Sequence, residues 1–407
     1  MVRTKVFKRL AILSAVSALA LVSACSSSDS GGGGESAASK EPLQILYSSG
    51  ITGLLAPSAK GVERGIKAKI DTLNATGGIN GRKIELTTVD NQSDPTRGVT
   101  LVQKAIGGSK KPDLVIPGVS SNEALAIAPL LARSKVVGLG PASNAVLNDI
   151  KKYPYFYSQS SKQQSIISAV ATQLQAQGDI KKLALIVPND ALGDAQGDLM
   201  KSEMKKVGIA VTDTRFPSDA VDLTATFQKA LGGDPDLIYM DGAGTQAASL
   251  LAGREKAGAD DIPALAGATM GSQPLLTLAK GTNQMNKVNL VMLPTQQYIP
   301  PEERSDVFNE FFKAVSAQGP LDLTLSTYSA GWESVALWAD AVATIKGEVT
   351  SAKINEALQH IPTSAPRLMF KKTYTPTSNF LEPTADEFTI AEPTGVKDGM
   401  FEYKPIE

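Results

Sequence analysis

Short apolar runs alternate with longer amphipathic segments along almost the whole chain, and that rhythm admits few folds. Residues 43–47 read as a strand, 58–75 as a helix, 83–90 as a strand, 94–106 as a helix and 113–117 as a strand. A helix over 122–133 and a strand over 136–139 follow. After a break at 153–161 the rhythm restarts, with helices over 163–177, 193–207, 223–231 and 245–258. Strands at 183–187, 209–216, 237–241 and 264–268 separate them. Strand-helix alternation predicts parallel sheets covered by helices on both faces, so two such runs predict an α/β protein with two doubly wound parallel sheets. Ligands of such sheets bind beyond the carboxyl ends of the strands.

A strand at 288–293, helices at 302–317, 327–345 and 351–360, and a Pro-, Thr- and aromatic-rich end over 366–407 complete the pattern. Helical material returning after the second run implies that the chain crosses between the two halves more than once. About 365 residues from Pro42 onward exceed one ordinary core, which also predicts two lobes.

The N-terminus is of another kind. Arg3, Lys5, Lys8 and Arg9 precede an apolar stretch over 10–21, and Val22-Ser23-Ala24-Cys25 closes it. Basic, then apolar, then small residues form a secretion signal too short for a stable membrane span. Small residues before the only cysteine resemble a bacterial lipobox, which implies cleavage after residue 24 and acylation (palmitate) of Cys25. A buried cysteine is the alternative. Serines and glycines over 26–34 extend a polar linker, 25–41, which cannot bury a core.

Composition excludes several functions. With 42% apolar and 20% charged residues the chain is an ordinary globular one. The first nine residues hold four of the 40 basic side chains, leaving 36 against 41 acidic ones, a net charge of about −5. Nucleic acid needs a basic footprint, so none is expected as a partner. His360 is the only histidine, so neither a histidine metal cluster nor a spare triad base exists. No metal, cofactor or enzymatic activity is expected.

Three motifs invite chemistry and are read more simply. Residues 76–83 lack the Gly-Lys-Ser/Thr ending of a phosphate loop and read as a helix end followed by an Asn-Gly turn. Residues 237–247 satisfy a loose dinucleotide fingerprint, yet a strand-to-helix turn facing any ligand cleft needs the same small residues. Ser202-x-x-Lys205 lacks the companion elements of penicillin-recognising enzymes and reads as a solvated helix face.

Gly77-Gly78-Ile79-Asn80-Gly81-Arg82-Lys83-Ile84-Glu85-Leu86, followed by Asp90-Asn91-Gln92-Ser93-Asp94-Pro95, resembles the substrate-binding proteins of branched-chain amino acid type ABC importers. The helix over 61–74, Pro117-Gly118-Val119-Ser120-Ser121 and Ala126-Ile127-Ala128-Pro129 fit as well, and the resemblance runs from about Leu43 to Phe401. It implies the type I periplasmic binding fold: two α/β lobes joined by three hinge crossings, with ligand trapped between them. The crossings are expected at 157–161, 293–296 and 361–365, stiffened by Pro294, Pro362 and Pro366. Lobe 1 is then 42–157 plus 296–361, and lobe 2 is 162–293 plus 365–407.

The resemblance also implies site positions. Those that hold a ligand carboxylate in amino acid binders fall on Ser121, with Ser120 before it, and on Ala142-Ser143-Asn144. Ser and backbone N–H groups near helix N-termini suit an anion, although the same serines could serve only as caps. The position of the usual carboxylate for a ligand ammonium falls on Thr269, beside Met270. Ala243 and Leu192 replace aromatic contacts, Leu54 and Leu55 line the first loop, and Asp241 is a substitute ammonium partner or a helix cap. Tyr328, one turn from Trp332, is a stacking candidate, though that spacing is also what core aromatics show. These departures predict a ligand with a polar or carboxylate head and an apolar or aromatic body.

The resemblance thus implies a monomeric lipoprotein on the outer face of the cell membrane (periplasmic side if an outer membrane exists). It would capture a small molecule and deliver it to an ABC permease. A ligand-sensing receptor of the same fold and a branched-chain amino acid binder proper are the alternatives. A secreted hydrolase lacks a nucleophile and base.

Overall fold

The computed structural model describes residues 41–242, 245–271, 282–361, 366–371 and 374–405. The signal segment, Cys25, Ala243 and Pro362 lie outside them, as do most of the linker and most of the crossing expected at 361–365. Among the described residues no helix is long and apolar enough to cross a membrane.

The first run supplies β1 (Leu43–Ser49), α1 (Ala56–Ala75), β2 (Ile84–Asp90), α2 (Pro95–Ile106), β3 (Leu114–Ile116), α3 (Ser121–Ser134), β4 (Gly138–Gly140) and β5 (Phe156–Ser161). The second supplies α4 (Gln163–Gln177), β6 (Lys182–Pro188), α5 (Ala191–Lys206), β7 (Ala210–Phe216), α6 (Thr224–Leu231), β8 (Leu237–Met240), α7 (Thr245–Lys256), β9 (Ala264–Ala266) and β10 (Val288–Met292). Then come α8 (Asp306–Ser316), α9 (Leu325–Ala343), α10 (Ser351–Leu358), β11 (Phe380–Leu381), β12 (Thr389–Lys397) and β13 (Met400–Pro405).

The first sheet runs β11-β5-β4-β3-β1-β2 and is parallel throughout. The second runs β13-β12-β10-β9-β8-β6-β7, parallel from β7 to β10 and antiparallel at β12 and β13. This is the type I periplasmic binding fold. Each run starts one strand in from the edge of its sheet, steps outward once and then reverses. The reversal leaves a crevice beside β1 in one sheet and beside β6 in the other, both at carboxyl ends. β1 and β6 are accordingly almost wholly buried, as central parallel strands must be.

Local chemistry sets the boundaries. Asp94 caps α2 by accepting from Thr96 N at 2.8 Å and Arg97 N at 3.2 Å, with Pro95 at the first helical position. Asn80 and Gly81 both have positive φ, and Ile79 and Arg82 exchange backbone bonds of 2.9 and 3.0 Å. This is the tight hairpin turn read from Asn-Gly, not a phosphate loop. α8 begins at Asp306 rather than 302, because Pro300 and Pro301 hold a short 3-10 turn and Ser305 caps the helix through Phe308 N.

Two expectations need correction. The break at 153–161 contains a buried strand, β5, beside β4 in the first sheet. The chain's last passage between the sheets falls between Leu381 and Thr389, not at 361–365, because β11 pairs with β5 before the chain enters β12. Residues 380–381 therefore belong with the first sheet. α9 packs along α1 and is buried on nearly every side, as an apolar helix enclosed by other elements must be.

Candidate functional site

A cavity of about 440 Å³ opens where the carboxyl ends of both sheets meet. The first sheet contributes Leu54 after β1, Val119 after β3, Pro141 and Ser143 after β4, and Gln159, Ser160 and Ser161 of β5 itself. The second contributes Asp241 after β8, Ala268, Thr269 and Gly271 after β9, and Leu293 and Gln296 after β10. Helix ends close the sides with Pro57, Ser58, Gln163, Thr245, Ser326 and Thr327, and Met369 and Phe370 form a further wall. The volume suits a small organic molecule.

Asp241 is the only ionisable group among the described lining residues, and no Lys, Arg or His is among them. Its carboxylate is 1% exposed and accepts from Gln196 Nε2 at 2.6 Å, Gly242 N at 3.0 Å and the hydroxyl of Thr269. Burial pushes its carboxyl above the usual range, and these donors together with the Met270 backbone pull the other way. Gly267 leaves room for it, since a Cβ there would lie 2.2 Å from the carboxyl group. Asp241 is thus a structural hub of the cavity wall, its oxygens already met by protein donors.

The start of α3 is built around a second carboxylate. Glu123 is 1% exposed, and its Oε2 accepts from Val119 N at 3.0 Å, Ser120 N at 3.1 Å and Ser120 Oγ at 3.0 Å. Asn91 Nδ2 donates to Oε1 at 2.7 Å, and Ser120 Oγ in turn accepts from Glu123 N at 3.2 Å. Glu123 thus closes a capping box with Ser120 and ties down the two N–H groups just ahead of α3.

The cavity brings together Leu54, Ser143, Asp241 and Thr269 of the residues expected from sequence. Leu54, 58% exposed, stands at the mouth. The rest lie elsewhere. Ser120 caps α3, Ser121 Oγ accepts from Asn144 N at 3.3 Å, and Asn144 caps the turn Ala145–Asn148. The carbonyl of Ala142 accepts from Ser158 Oγ at 2.6 Å, and the backbone N–H of Leu55 donates to Ser93 Oγ at 3.2 Å. Met270 is packed in the core of the second sheet rather than against the cavity. Tyr328 is buried among Phe311 and Trp332, its hydroxyl donating to Asp322 at 2.6 Å, so it offers no stacking face. Ala243 and the side chain of Leu192 lie outside the described residues.

Sequence reasoning missed Gln159, Gln163, Gln296 and Phe370. Gln296 Nε2 donates to the carbonyls of Ala268 at 3.2 Å and Gly271 at 3.0 Å, tying the segment after β10 to the one after β9. Gln159 is 1% exposed, and its Oε1 has no hydrogen-bond partner among the described residues. A buried polar run at the end of a strand is the one signal that marks it.

Two open α/β sheets share a cavity at their carboxyl ends, the arrangement of the type I binding fold. The chain belongs to the periplasmic binding protein family, whose family model matches residues 42–382. A Leu/Ile/Val-binding protein of Rhizobium johnstonii is 24% identical over 194 residues, 47% of this chain and 52% of the relative. The match thus spans about half the length of that curated relative. Among solved structures, the branched-chain amino acid transporter substrate-binding protein LivJ of Streptococcus pneumoniae, in complex with isoleucine, aligns with a TM-score of 0.73 at 18% identity, covering 89% of this chain and 98% of that one. An ABC transporter solute-binding protein of R. palustris in complex with 4-hydroxybenzoate aligns with a TM-score of 0.74 at 18% identity, covering 90% and 96%.

Proposed function

We propose that this chain is the extracytoplasmic solute-capturing component of an ABC importer. In this reading it is a monomer held at the outer face of the cell membrane through a lipid on Cys25. Its ligand is a small organic solute with a polar or carboxylate head and an apolar or aromatic body. The observation that carries the reading is the cavity of about 440 Å³ at the carboxyl ends of both sheets, walled mostly by aliphatic side chains with a few hydroxyls and amides. Such a site binds on one sheet and closes with the other. Ligand shifts the protein to the closed form only by the extra contacts that form offers, and the closed form is what a permease would recognise.

The bound molecules of the two solved relatives, isoleucine and 4-hydroxybenzoate, both combine a carboxylate with an apolar body. The occupied oxygens of Asp241 favour a ligand without an ammonium group over a branched-chain amino acid. A thermal shift screen with amino acids, aromatic acids, aliphatic acids and their amides tests the proposal. Ligand at a hundred times its Kd adds about 2.7 kcal/mol. One class should raise the melting temperature and be recovered unaltered. A screen in which nothing stabilises the protein, or in which the stabilising compound is chemically changed, overturns the reading.

A further inference from the structure

We infer that the cavity takes an extended amphiphile, a polar head on a long unbranched apolar body, laid along the carboxyl edge of the first sheet rather than a compact solute the size of one amino acid. The inference rests on the solute-binding reading above and names the ligand class.

The lining follows strand order. β1, β3, β4 and β5 are successive neighbours in the first sheet. The cavity touches the chain beyond β1 at Leu54 and Pro57, beyond β3 at Val119, beyond β4 at Ser143, and on β5 itself at Ser161. Three strand spacings carry it about 14 Å along that edge. β8, β9 and β10, again neighbours, face this row over two spacings, about 10 Å. Closure swings one sheet against the other but keeps the strands of each in register, so the length along an edge survives it. With carbon–carbon bonds of about 1.5 Å in a zigzag, about ten carbons reach that far. The volume of about 440 Å³ lies in the range that encloses drug-sized molecules, and a single amino acid would leave much of it empty.

Side chains do not refill this length. Ala247, Ala248, Ala268 and Gly271 form the second sheet's side of the wall, where bulkier residues would shorten it. The two ends also differ. At the β5 end stand Gln159, Ser160 and Ser161, with Gln163 at the start of α4, and these suit a polar head. At the β1 end, Pro57 and Val62 of α1 meet Leu323, just before α9, and Ala330 on it. The helices are pressed together there, since a Cβ on Gly61 would lie 2.6 Å from Leu323 Cδ1 and 2.8 Å from Thr327 Cγ2. Ser58, Ser326 and Thr327 are the hydroxyls of that end, and Ser326 already bonds Thr324 at 3.0 Å. The head therefore lies at β5 and the body runs toward β1.

Calorimetry and thermal shift with two straight-chain series test this: butanoate, hexanoate, octanoate and decanoate, and the matching primary alcohols. In at least one series affinity should rise to the ten-carbon member by about fourfold for each methylene buried. Ser58→Phe, which fills the β1 end from a half-buried position, should move the best chain length down to hexanoate or octanoate. Ala330→Leu should do the same from α9, in case the phenylalanine turns outward. Lowered stability alone would weaken every chain length alike and leave the preference where it was, which would contradict the placement. If affinity stops rising at six carbons, or if isoleucine or 4-hydroxybenzoate binds while no straight-chain compound does, the inference fails and the solute-binding reading stands. Only a screen in which no compound of any class binds removes the reading as well.

Discussion

Gly65 on α1 and Gly331 on α9 let the two helices cross backbone against backbone. A Cβ at Gly65 would lie 1.9 Å from the carbonyl oxygen of Tyr328, and one at Gly331 would lie 2.0 Å from that of Val62. The crossing seats α9, which follows β10 of the second sheet in the chain, against the first sheet's layer. Backbone cannot swing aside as a side chain can, so Gly65→Ala should be destabilising despite alanine's better helix propensity. The expected loss is about 2–3 kcal/mol. Urea unfolding with an unchanged slope and a lower midpoint would bear this out. An unshifted midpoint would mean the helices can separate freely.

Glu123 gathers three donors from the loop after β3 and a fourth from Asn91. Removing it in Glu123→Ala leaves buried N–H groups unmet, for a loss of about 2–4 kcal/mol. Glu123→Gln should recover only part of this, because an oxygen turned to the three loop donors sets the new amide nitrogen against Asn91 Nδ2. Denaturation midpoints of the two variants check this, and a near-wild-type glutamine variant would contradict it.

Glu333 on α9 is 1% exposed, and its Oε1 accepts from Leu368 N at 2.6 Å while Oε2 has no partner among the described residues. Burial pushes its carboxyl above the ordinary 4.5, against the pull of Leu368 N and Arg367. The folded state therefore holds this proton more tightly than the unfolded chain does. Its contribution to stability is full below pH 4.5 and is lost as pH rises through the folded value. Unfolding free energies measured from pH 4 to 8 should fall with pH more steeply in the parent than in Glu333→Gln. Parallel curves would show that Glu333 does not titrate there.

Gly267 sits where any side chain would press on Asp241. Gly267→Ala should displace that carboxylate from Gln196 and Thr269, at a loss of about 1–3 kcal/mol. It should also weaken binding of whatever compound the thermal shift screen identifies. Intact binding at lowered stability would separate the hub's structural part from its part in the cavity.

Cys25→Ser should release the protein from the membrane fraction without changing ligand affinity, if the lipid serves only to retain it. Fractionation and calorimetry on the soluble variant measure the two halves of this statement. Loss of affinity in the released form would oppose it.

The helix over 163–177 and the turn at 77–82 were legible because periodicity and positive-φ residues are local signals. β5 was not, since Phe156–Ser161 ends in Ser-Gln-Ser-Ser, a polar run that reads as loop. Its polarity is tolerated inside because the strand end faces a cavity. Met270 and Tyr328 failed as contacts for a different reason: chain position put them near the cavity, but packing turned them into the core.

The amino-acid sequence alone determined the strand-helix rhythm, the pairing of two wound sheets, the helix caps and the family, because each depends on residues close together in the chain. Only the tertiary structure decided what the cavity presents. Gln159, Asp241, Thr269 and Phe370 come from segments far apart in sequence and meet only when both sheets are in place. Whether a polar group is available to a ligand depends on which partners it has already found. Asp241 and Glu123 have theirs, and among the described residues the amide oxygen of Gln159 does not.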